Sequence, residues 1–291
     1  GNIGTLKPAY VWSRISGATS YMLTVNDSGG TNLITQTVGS SFCSSSTNKC
    51  TFTPATALTL NNDYRWKVYA FNILGVSAES GFVNFKPIPP AVPVTDSPAG
   101  DITTLKPTYI WSRISDANTY KLVVRDVSGG IDVIDLTVSK SYCSTTTNLC
   151  KYTPSTYLTL NKAYQWKVMA VNAAGLSSAF SGSVNIRPVL PPAPTTFTPS
   201  GNITVTKPPY VWSRVSTATS YKLYIIDVAA NKTILTATVS SSYCSTDTAR
   251  CTYTPSTSLT RNKDYQWKVA AVSAGGLISL PSGTVNFRVI Y

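Results

Sequence analysis

The feature that most constrains this chain is an internal repeat. A Trp-Ser-Arg motif occurs three times, at intervals of 99 and 101 residues, beginning at Trp12, Trp111 and Trp212. A Tyr-x-Trp-Lys-Val motif also occurs three times, at intervals of 100 and 101 residues, beginning at Tyr64, Tyr164 and Tyr265. This period is too long for a solenoid unit and close to a common domain size. The sequence therefore predicts three domains of one kind, which we call repeat 1 (1–89), repeat 2 (90–190) and repeat 3 (191–291).

All six cysteines fall in matching Cys-x6-Cys cassettes, one cassette in each repeat. Zinc sites prefer Cys-x2–4-Cys pairs supported by further Cys or His ligands, and this sequence contains no His. We therefore expect three structural disulfides, namely Cys43–Cys50, Cys143–Cys150 and Cys244–Cys251. Closing an eight-residue loop stabilises each domain by about 2.5 kcal/mol in the chain-entropy model. Such bonds persist in oxidising compartments, which favours an extracellular or cell-surface location.

Each repeat shows the two-residue alternation that is typical of half-buried strands. In repeat 2, Tyr164, Trp166 and Val168 fall on one face and Lys167 on the other. The same phase predicts nine core aromatic side chains: Trp12, Tyr64, Trp66, Trp111, Tyr164, Trp166, Trp212, Tyr265 and Trp267. With turns between short strands and no helical periodicity, the sequence predicts an all-β chain of three tandem, seven-stranded, immunoglobulin-like β-sandwiches.

Proline-rich segments separate the repeats, at 87–93 and 188–194. Such segments favour extended polyproline II and act as semi-rigid spacers. Repeat 1 has no such lead-in, and we expect the chain to begin inside a repeat that was cut or processed from a longer array. The final residues, 285–291, are expected to be the end of that array.

The repeats resemble the fibronectin type III family over essentially the whole chain. The likeness rests on the early Trp within Tyr-Val/Ile-Trp-Ser-Arg and on the run Leu-x5-Tyr-x-Trp-Lys-Val-x-Ala, which spans 58–70, 158–170 and 259–271. The resemblance implies a tyrosine corner, in which the phenol hydroxyl bonds the backbone. Trp66, Trp166 and Trp267 replace the usual aliphatic residue, and the cysteine loop is an addition. In both respects the repeats resemble a variety of this family that is found in tandem in secreted bacterial surface proteins.

The residue types needed for catalysis are scarce. The chain has no His and one Glu, so a convergent acid–base pair is not expected. Asp27, Asp126 and Asp227 recur at strand ends before turns, where Asp side chains commonly bond the local backbone. Asp132 and Asp135 are the best calcium candidates, but the other repeats do not keep both. We therefore predict a non-enzymatic protein with no cofactor and no metal.

The formal charge of +12 raises the alternative that the protein binds an acidic polymer. Recurring basic positions could form stripes that attract acidic polymers; they are Lys7, Lys106, Lys207, Arg14, Arg113, Arg214, Lys67, Lys167 and Lys268. Outward lysines also keep strand faces soluble, and we favour that interpretation. No basic-aromatic nucleic-acid motif accompanies them, and no apolar run is long enough to span a bilayer.

Sugar binding by aromatic side chains is the other alternative. The inward phase of the tryptophans argues against it, and the outward Tyr69 and Phe71 have no aromatic counterparts in repeats 2 and 3, so no shared aromatic platform is predicted. We therefore favour a structural or adhesive segment of an extracellular, bacterial surface protein: a stalk, spacer or fibre. Its expected partners are copies of itself, neighbouring repeats of a longer chain, or cell-surface polysaccharide. The alternative is an accessory carbohydrate- or anionic-polymer-binding module of a secreted enzyme.

Overall fold

The computed structural model describes all 291 residues and shows three β-sandwiches in tandem, which confirms the predicted all-β fold class. Each repeat has eight or nine strands rather than the predicted seven, because short edge strands are added to the sheets. Each sandwich packs a small sheet against a large sheet. The helices are three single 3₁₀ turns, at Ser40–Phe42, Lys140–Tyr142 and Ser241–Tyr243. None of them is long and apolar enough to cross a membrane.

Repeat 1 contains nine strands. They are β1 (Asn2–Ile3), β2 (Tyr10–Ser13), β3 (Ser20–Asp27), β4 (Asn32–Gly39), β5 (Cys43–Ser44), β6 (Lys49–Phe52), β7 (Tyr64–Asn72), β8 (Gly75–Val76) and β9 (Val83–Pro87). The small sheet has the order β2-β6-β5, and the large sheet has the order β1-β9-β7-β3-β4, with β8 paired to β7. Strand β1 runs parallel to β9, whereas the other pairs are antiparallel.

Repeat 2 contains eight strands. They are β10 (Thr95–Ser97), β11 (Gly100–Ile102), β12 (Tyr109–Ser112), β13 (Ala117–Asp126), β14 (Asp132–Ser139), β15 (Leu149–Tyr152), β16 (Tyr164–Asn172) and β17 (Val184–Pro188). The small sheet has the order β10-β12-β15, and the large sheet has the order β11-β17-β16-β13-β14. The first strand of this small sheet, β10, has no counterpart in repeat 1.

Repeat 3 contains nine strands. They are β18 (Thr196–Thr198), β19 (Gly201–Ile203), β20 (Tyr210–Ser213), β21 (Ala218–Asp227), β22 (Lys232–Ser240), β23 (Cys244–Ser245), β24 (Arg250–Tyr253), β25 (Lys263–Ser273) and β26 (Val285–Val289). Its large sheet, β19-β26-β25-β21-β22, repeats the arrangement of repeat 2, and its small sheet, β18-β20-β24-β23, does so with β23 as an additional strand.

Each core lies between its two sheets and is built from the inward side chains of both. The clusters of buried apolar residues contain 16 members in repeat 3 and 15 in repeat 2, but 13 in repeat 1, where Trp66 is only partly buried. Burying an aromatic side chain is among the largest contributions that one residue makes to stability. The core of repeat 1 is therefore the least complete of the three.

The proline-rich segments differ from free spacers. Pro90 and Pro93 are buried, as are Pro191 and Pro194. Directly after these prolines the chain enters the small sheet of the next repeat, where β10 pairs with β12 and β18 pairs with β20. An extended segment can add to a sheet edge without changing its backbone conformation, and proline is tolerated next to such an edge. The linkers are thus packed parts of the sandwiches that follow them.

Candidate functional site

Each repeat has a disulfide at one end of its small sheet. The bonded pairs are Cys43–Cys50, Cys143–Cys150 and Cys244–Cys251, and no cysteine is free. The second cysteine of each pair is fully buried and stands opposite a tryptophan on the neighbouring strand, the pairs being Trp12 with Cys50, Trp111 with Cys150 and Trp212 with Cys251. The disulfides therefore cover the ends of the cores, and no thiol is available for redox or metal chemistry.

An aromatic pair lies beside each disulfide. The pairs are Phe42–Phe52, Tyr142–Tyr152 and Tyr243–Tyr253, with ring centroids 5.4, 4.9 and 5.4 Å apart and nearly perpendicular ring planes. The first ring of each pair belongs to the 3₁₀ turn and is half exposed, at 52%, 53% and 54%. The expectation that the repeats share no aromatic surface is therefore wrong. The signal was present as an aromatic residue before each first cysteine and another two residues after each second cysteine.

The predicted core aromatics lie between the sheets. Trp111, Trp166, Trp212 and Trp267 have no exposed surface, and Trp12 is 8% exposed. In repeats 2 and 3 the indole N–H groups of Trp166 and Trp267 donate to the carbonyl oxygens of Pro98 and Pro199, at 2.9 and 2.8 Å. These bonds join the large sheet to the segment that leads into the repeat. Trp66, the equivalent residue of repeat 1, is half-buried and makes no such bond.

A tyrosine hydroxyl accepts a backbone hydrogen bond at the same place in each repeat. The donors are the amides of Thr59, Thr159 and Thr260, which bond Tyr64, Tyr164 and Tyr265 at 3.0, 3.0 and 2.9 Å. This contact is the tyrosine corner that the resemblance implied. The bond holds the segment that precedes the long central strand of each repeat.

A second tyrosine of each repeat is buried without a partner. The hydroxyl groups of Tyr10, Tyr109 and Tyr210 make no hydrogen bond, and neither do the indole N–H groups of Trp12, Trp111 and Trp212. Burial raises the pKa of all three phenols well above the ordinary value, and the neighbouring phenol of the tyrosine corner raises it further.

The recurring aspartates stabilise turns. Asp126 is 1% exposed, and its carboxylate accepts hydrogen bonds from Ser128 Oγ at 2.8 Å and from Lys162 Nζ at 2.5 Å. The hydrogen bond from Lys162 lowers the pKa of Asp126 to about 2, even though desolvation acts in the opposite direction. Lys263 likewise lowers the pKa of Asp227. Asp27 accepts from the Thr31 amide at 2.8 Å.

Six of the other nine carboxylates form surface ion pairs. Asp132 pairs with Arg125 and Asp135 pairs with Lys121, both at 3.1 Å, so the two calcium candidates face cations. No three His, Cys, Asp or Glu side chains are clustered as a metal site would require. Together with the isolated aspartates of the turns, this arrangement offers no convergent pair of carboxylates for acid–base chemistry.

The recurring outward lysines of the central strands lie over aromatic rings. Lys67 lies 4.7 Å from the ring centre of Phe82 and also pairs with Glu79, and Lys167 lies 4.4 Å from the ring centre of Phe180. Eight of the 24 basic side chains pair with a carboxylate, and these are Lys67, Lys86, Lys121, Arg125, Lys162, Arg187, Lys263 and Arg288. The other basic side chains give the surface its positive charge.

Consecutive repeats are joined by the same type of contact at both junctions. The side-chain amide of Asn172 donates to the carbonyl oxygen of Gly4 at 2.8 Å, and the hydroxyl of Ser273 donates to the carbonyl oxygen of Thr103 at 2.7 Å. Asn172 and Ser273 end the equivalent strands β16 and β25. Their acceptors follow β1 and β11, which are also equivalent. At both junctions, the last residue of a long strand therefore donates a hydrogen bond to the backbone near the start of the preceding repeat.

The second junction leaves no room for a larger residue at position 275. A Cβ atom placed on Gly275 would lie 2.5 Å from Thr104 Cβ and 2.8 Å from Thr104 Cα. Because backbone atoms cannot move away as a flexible side chain does, glycine is required for this close approach. The junction between repeats 2 and 3 is thus a fitted contact between two surfaces.

No protein-family model and no curated protein matches the chain. Among solved structures, the FN1–FN3 domains of chicken CNTN1 align with 99% of this chain and 96% of that one, at 17% sequence identity and a TM-score of 0.35. Similarity at this level does not extend to function.

Proposed function

We propose that the chain is a non-enzymatic, extracellular structural segment that acts as a stiff spacer between other parts of a surface protein or fibre. The observation that carries the proposal is the pair of equivalent junction bonds, Asn172 to Gly4 and Ser273 to Thr103. A flexible string of domains has no need of repeated contacts between neighbours, whereas a spacer of fixed length depends on them. The buried linker prolines support the same function, since a packed linker restricts rotation between domains.

The disulfides support an extracellular site of action. All six cysteines are paired, and one cysteine of each pair stands opposite a core tryptophan on the neighbouring strand. In a reducing compartment these bonds would not persist. We further propose that the repeats are of the tryptophan-rich, disulfide-containing fibronectin type III variety of secreted bacterial surface proteins. The support for this assignment is the sequence likeness together with the tyrosine corner.

Electron microscopy of single molecules tests the spacer function. We expect the angle between successive domains to take one narrow value at each junction. A double variant, Asn172→Asp with Ser273→Ala, should broaden both distributions while the three domains stay folded. If the unaltered chain already shows a broad range of angles, the spacer proposal is wrong.

A second candidate function, carbohydrate binding, is favoured by the aromatic pairs beside the disulfides. Half-exposed rings at Phe42, Tyr142 and Tyr243 recur at one position of every repeat, and aromatic faces of this kind can stack on sugar rings. The test is a glycan array followed by calorimetry, with all three residues replaced by alanine. Ile73→Ala, which changes a fully exposed apolar side chain elsewhere, is the control. Binding that the triple variant abolishes and the control keeps would favour this function.

A further inference from the structure

The two junctions are built from nearly identical segments. The turn that donates the junction bond spans residues 172–176 in repeat 2 and 273–277 in repeat 3, and the two turns differ at two of five positions. The segment that accepts the bond spans residues 3–8 in repeat 1 and 102–107 in repeat 2, and these segments differ at one of six positions. The differing residues are Asn172, Ala174 and Gly4 at the first junction, and Ser273, Gly275 and Thr103 at the second.

At the first junction a long donor faces a residue without a side chain. The side-chain nitrogen of Asn172 donates to the Gly4 carbonyl at 2.8 Å, and a Cβ atom placed on Gly4 would lie 3.0 Å from that nitrogen. The nitrogen cannot swing aside without disturbing two further bonds, in which the side-chain oxygen of Asn172 accepts from the amides of Ala174 and Leu176. Asn172 is buried, so its side chain has little free space around it. A threonine at position 4 would therefore displace the donor.

At the second junction a short donor faces a threonine. The hydroxyl of Ser273 donates to the Thr103 carbonyl at 2.7 Å and accepts from the Leu277 amide at 3.1 Å. The donor atom of serine lies one bond, about 1.5 Å, nearer its own backbone than that of asparagine, so the turn must approach the acceptor segment more closely. Gly275 permits this approach, since a Cβ atom there would lie 2.5 Å from Thr104 Cβ. The short donor therefore requires glycine two positions later.

We propose that the residue at position 4 or 103 selects, by its size, the turn that can dock on each acceptor segment. The asparagine turn of repeat 2 fits only a segment with glycine, whereas the serine turn of repeat 3 fits the segment with threonine. The turn of repeat 2 is thereby excluded from the acceptor segment of repeat 2 in another copy of the chain, and steric exclusion of this kind gives specificity. This inference deepens the proposed spacer function, because it concerns the junctions on which that function rests.

The experiment uses the complete chain and residual dipolar couplings, which report the alignment of each repeat separately. In the unaltered chain, repeats 1 and 2 should share one alignment tensor. Gly4→Thr should make their tensors unequal, because the added side chain displaces the amide of Asn172. The φ angle of Gly4 is outside the left-handed region, so threonine adds no backbone strain there. Repeats 2 and 3 should keep a common tensor in both proteins.

The turn of repeat 3 should rescue this variant when its sequence is introduced into repeat 2. Asn172→Ser together with Ala174→Gly gives the turn of repeat 2 the sequence of residues 273–277. Added to Gly4→Thr, these two substitutions should restore the shared tensor of repeats 1 and 2. The reason is that the three substitutions give the first junction the residues of the second, and residues in contact have effects that do not add.

Gly81→Thr is the matched control for the added side chain. It introduces threonine into repeat 1 at a place where a Cβ atom meets nothing within 4 Å, and it should leave the shared tensor unchanged. A Gly4→Thr variant that keeps the shared tensor, or a triple variant as loose as Gly4→Thr, contradicts selection by size while leaving the spacer function intact. Unequal tensors already in the unaltered chain would contradict both proposals. Amide chemical shifts of the core strands verify that each variant is folded.

The reverse exchange tests the same selection at the second junction. Gly275→Ala alone should open that junction, because its methyl group meets Thr104. Ser273→Asn and Thr103→Gly, added to Gly275→Ala, lengthen the donor and remove the side chain in front of it. Repeats 2 and 3 should then share one alignment tensor again. A triple variant that stays as open as Gly275→Ala overturns the proposal.

Discussion

The side-chain amide of Asn172 donates a hydrogen bond to the carbonyl oxygen of Gly4, which lies 168 positions earlier, in the preceding domain. The side-chain oxygen of Asn172 accepts hydrogen bonds from the backbone amides of Ala174 and Leu176, each at 3.0 Å. These two bonds stabilise the turn that follows Asn172. Asn172 therefore stabilises a turn in repeat 2 with its side-chain oxygen and binds repeat 1 with its side-chain nitrogen. Because different atoms serve the two roles, a substitution can remove one and keep the other.

Asn172→Asp should loosen the first junction without unfolding either domain. The carboxylate keeps both acceptor bonds of the turn but loses the donor, and it places an oxygen against the Gly4 carbonyl. NMR relaxation should show repeats 1 and 2 tumbling as one unit in the unaltered chain and more independently in the variant. Asn72→Asp is the control, because Asn72 accepts from the Leu74 amide in the same way but has no junction partner. Equal tumbling in all three proteins would contradict the role of Asn172.

Gly275→Ala should separate repeats 2 and 3. Its methyl group would clash with both Cβ and Cα of Thr104, so the junction must open or shift. Small-angle X-ray scattering should show a larger radius of gyration or a more flexible profile. Gly283→Ala, where an added Cβ meets nothing within 4 Å, is the control and should leave the scattering unchanged.

Tyr164→Phe and Tyr109→Phe should have different effects on stability, although both remove a buried hydroxyl from repeat 2. Tyr164 accepts the Thr159 amide, so its loss should lower the free energy of unfolding by about 1 kcal/mol. Tyr109 has no partner, so Tyr109→Phe should be neutral or stabilising, by up to about 1 kcal/mol. Hydrogen exchange of the β13 and β16 amides measures both values within the intact chain. A destabilised Tyr109→Phe would reveal a partner for that hydroxyl.

The stability of repeat 2 should fall as the pH drops from about 4 to about 2. The pKa of Asp126 is lowered from 3.8 to about 2 in the folded state, so its stabilising contribution is complete above pH 4 and is lost as the carboxylate becomes protonated. Asp126→Asn should be less stable at neutral pH and should lose less stability on acidification. Asp96→Asn, which changes an exposed carboxylate without a hydrogen bond, serves as the control for unfolding measured across this pH range. A pH profile of Asp126→Asn that parallels the unaltered chain would contradict this assignment.

The two-layer architecture was predictable because alternation is a local property. Tyr164, Trp166 and Val168 have a two-residue period, and that period alone determines which side chains can face a second sheet. The added strand β10 was not predictable in the same way. Its residues follow a proline-rich segment and alternate weakly, and their place at the sheet edge depends on β12, which comes later in the chain.

The candidate sites depended even more on tertiary geometry. The bond from Asn172 to Gly4 joins two domains, and no local pattern encodes their relative orientation. The aromatic pairs are ten residues apart in sequence, and the 3₁₀ turn and the disulfide bring their rings together. Trp66 shares its motif with Trp166 and Trp267, yet it is only half-buried, whereas those two have no exposed surface and each bonds the segment that leads into its repeat. Identical sequence motifs therefore did not predict identical burial of their tryptophans.

Single-molecule energy transfer across the whole chain tests the central claim, that the junctions hold the three repeats in one arrangement. Dyes are attached to Ser28→Cys and Ala229→Cys, two exposed hairpin positions in repeats 1 and 3, and labelling is selective because no native cysteine is free. We predict a single population of transfer efficiencies whose width is that expected from photon noise alone. This distribution should broaden when Asn172→Asp and Gly275→Ala are introduced together. A broad distribution in the unaltered chain, unchanged by those substitutions, would show that the repeats move independently.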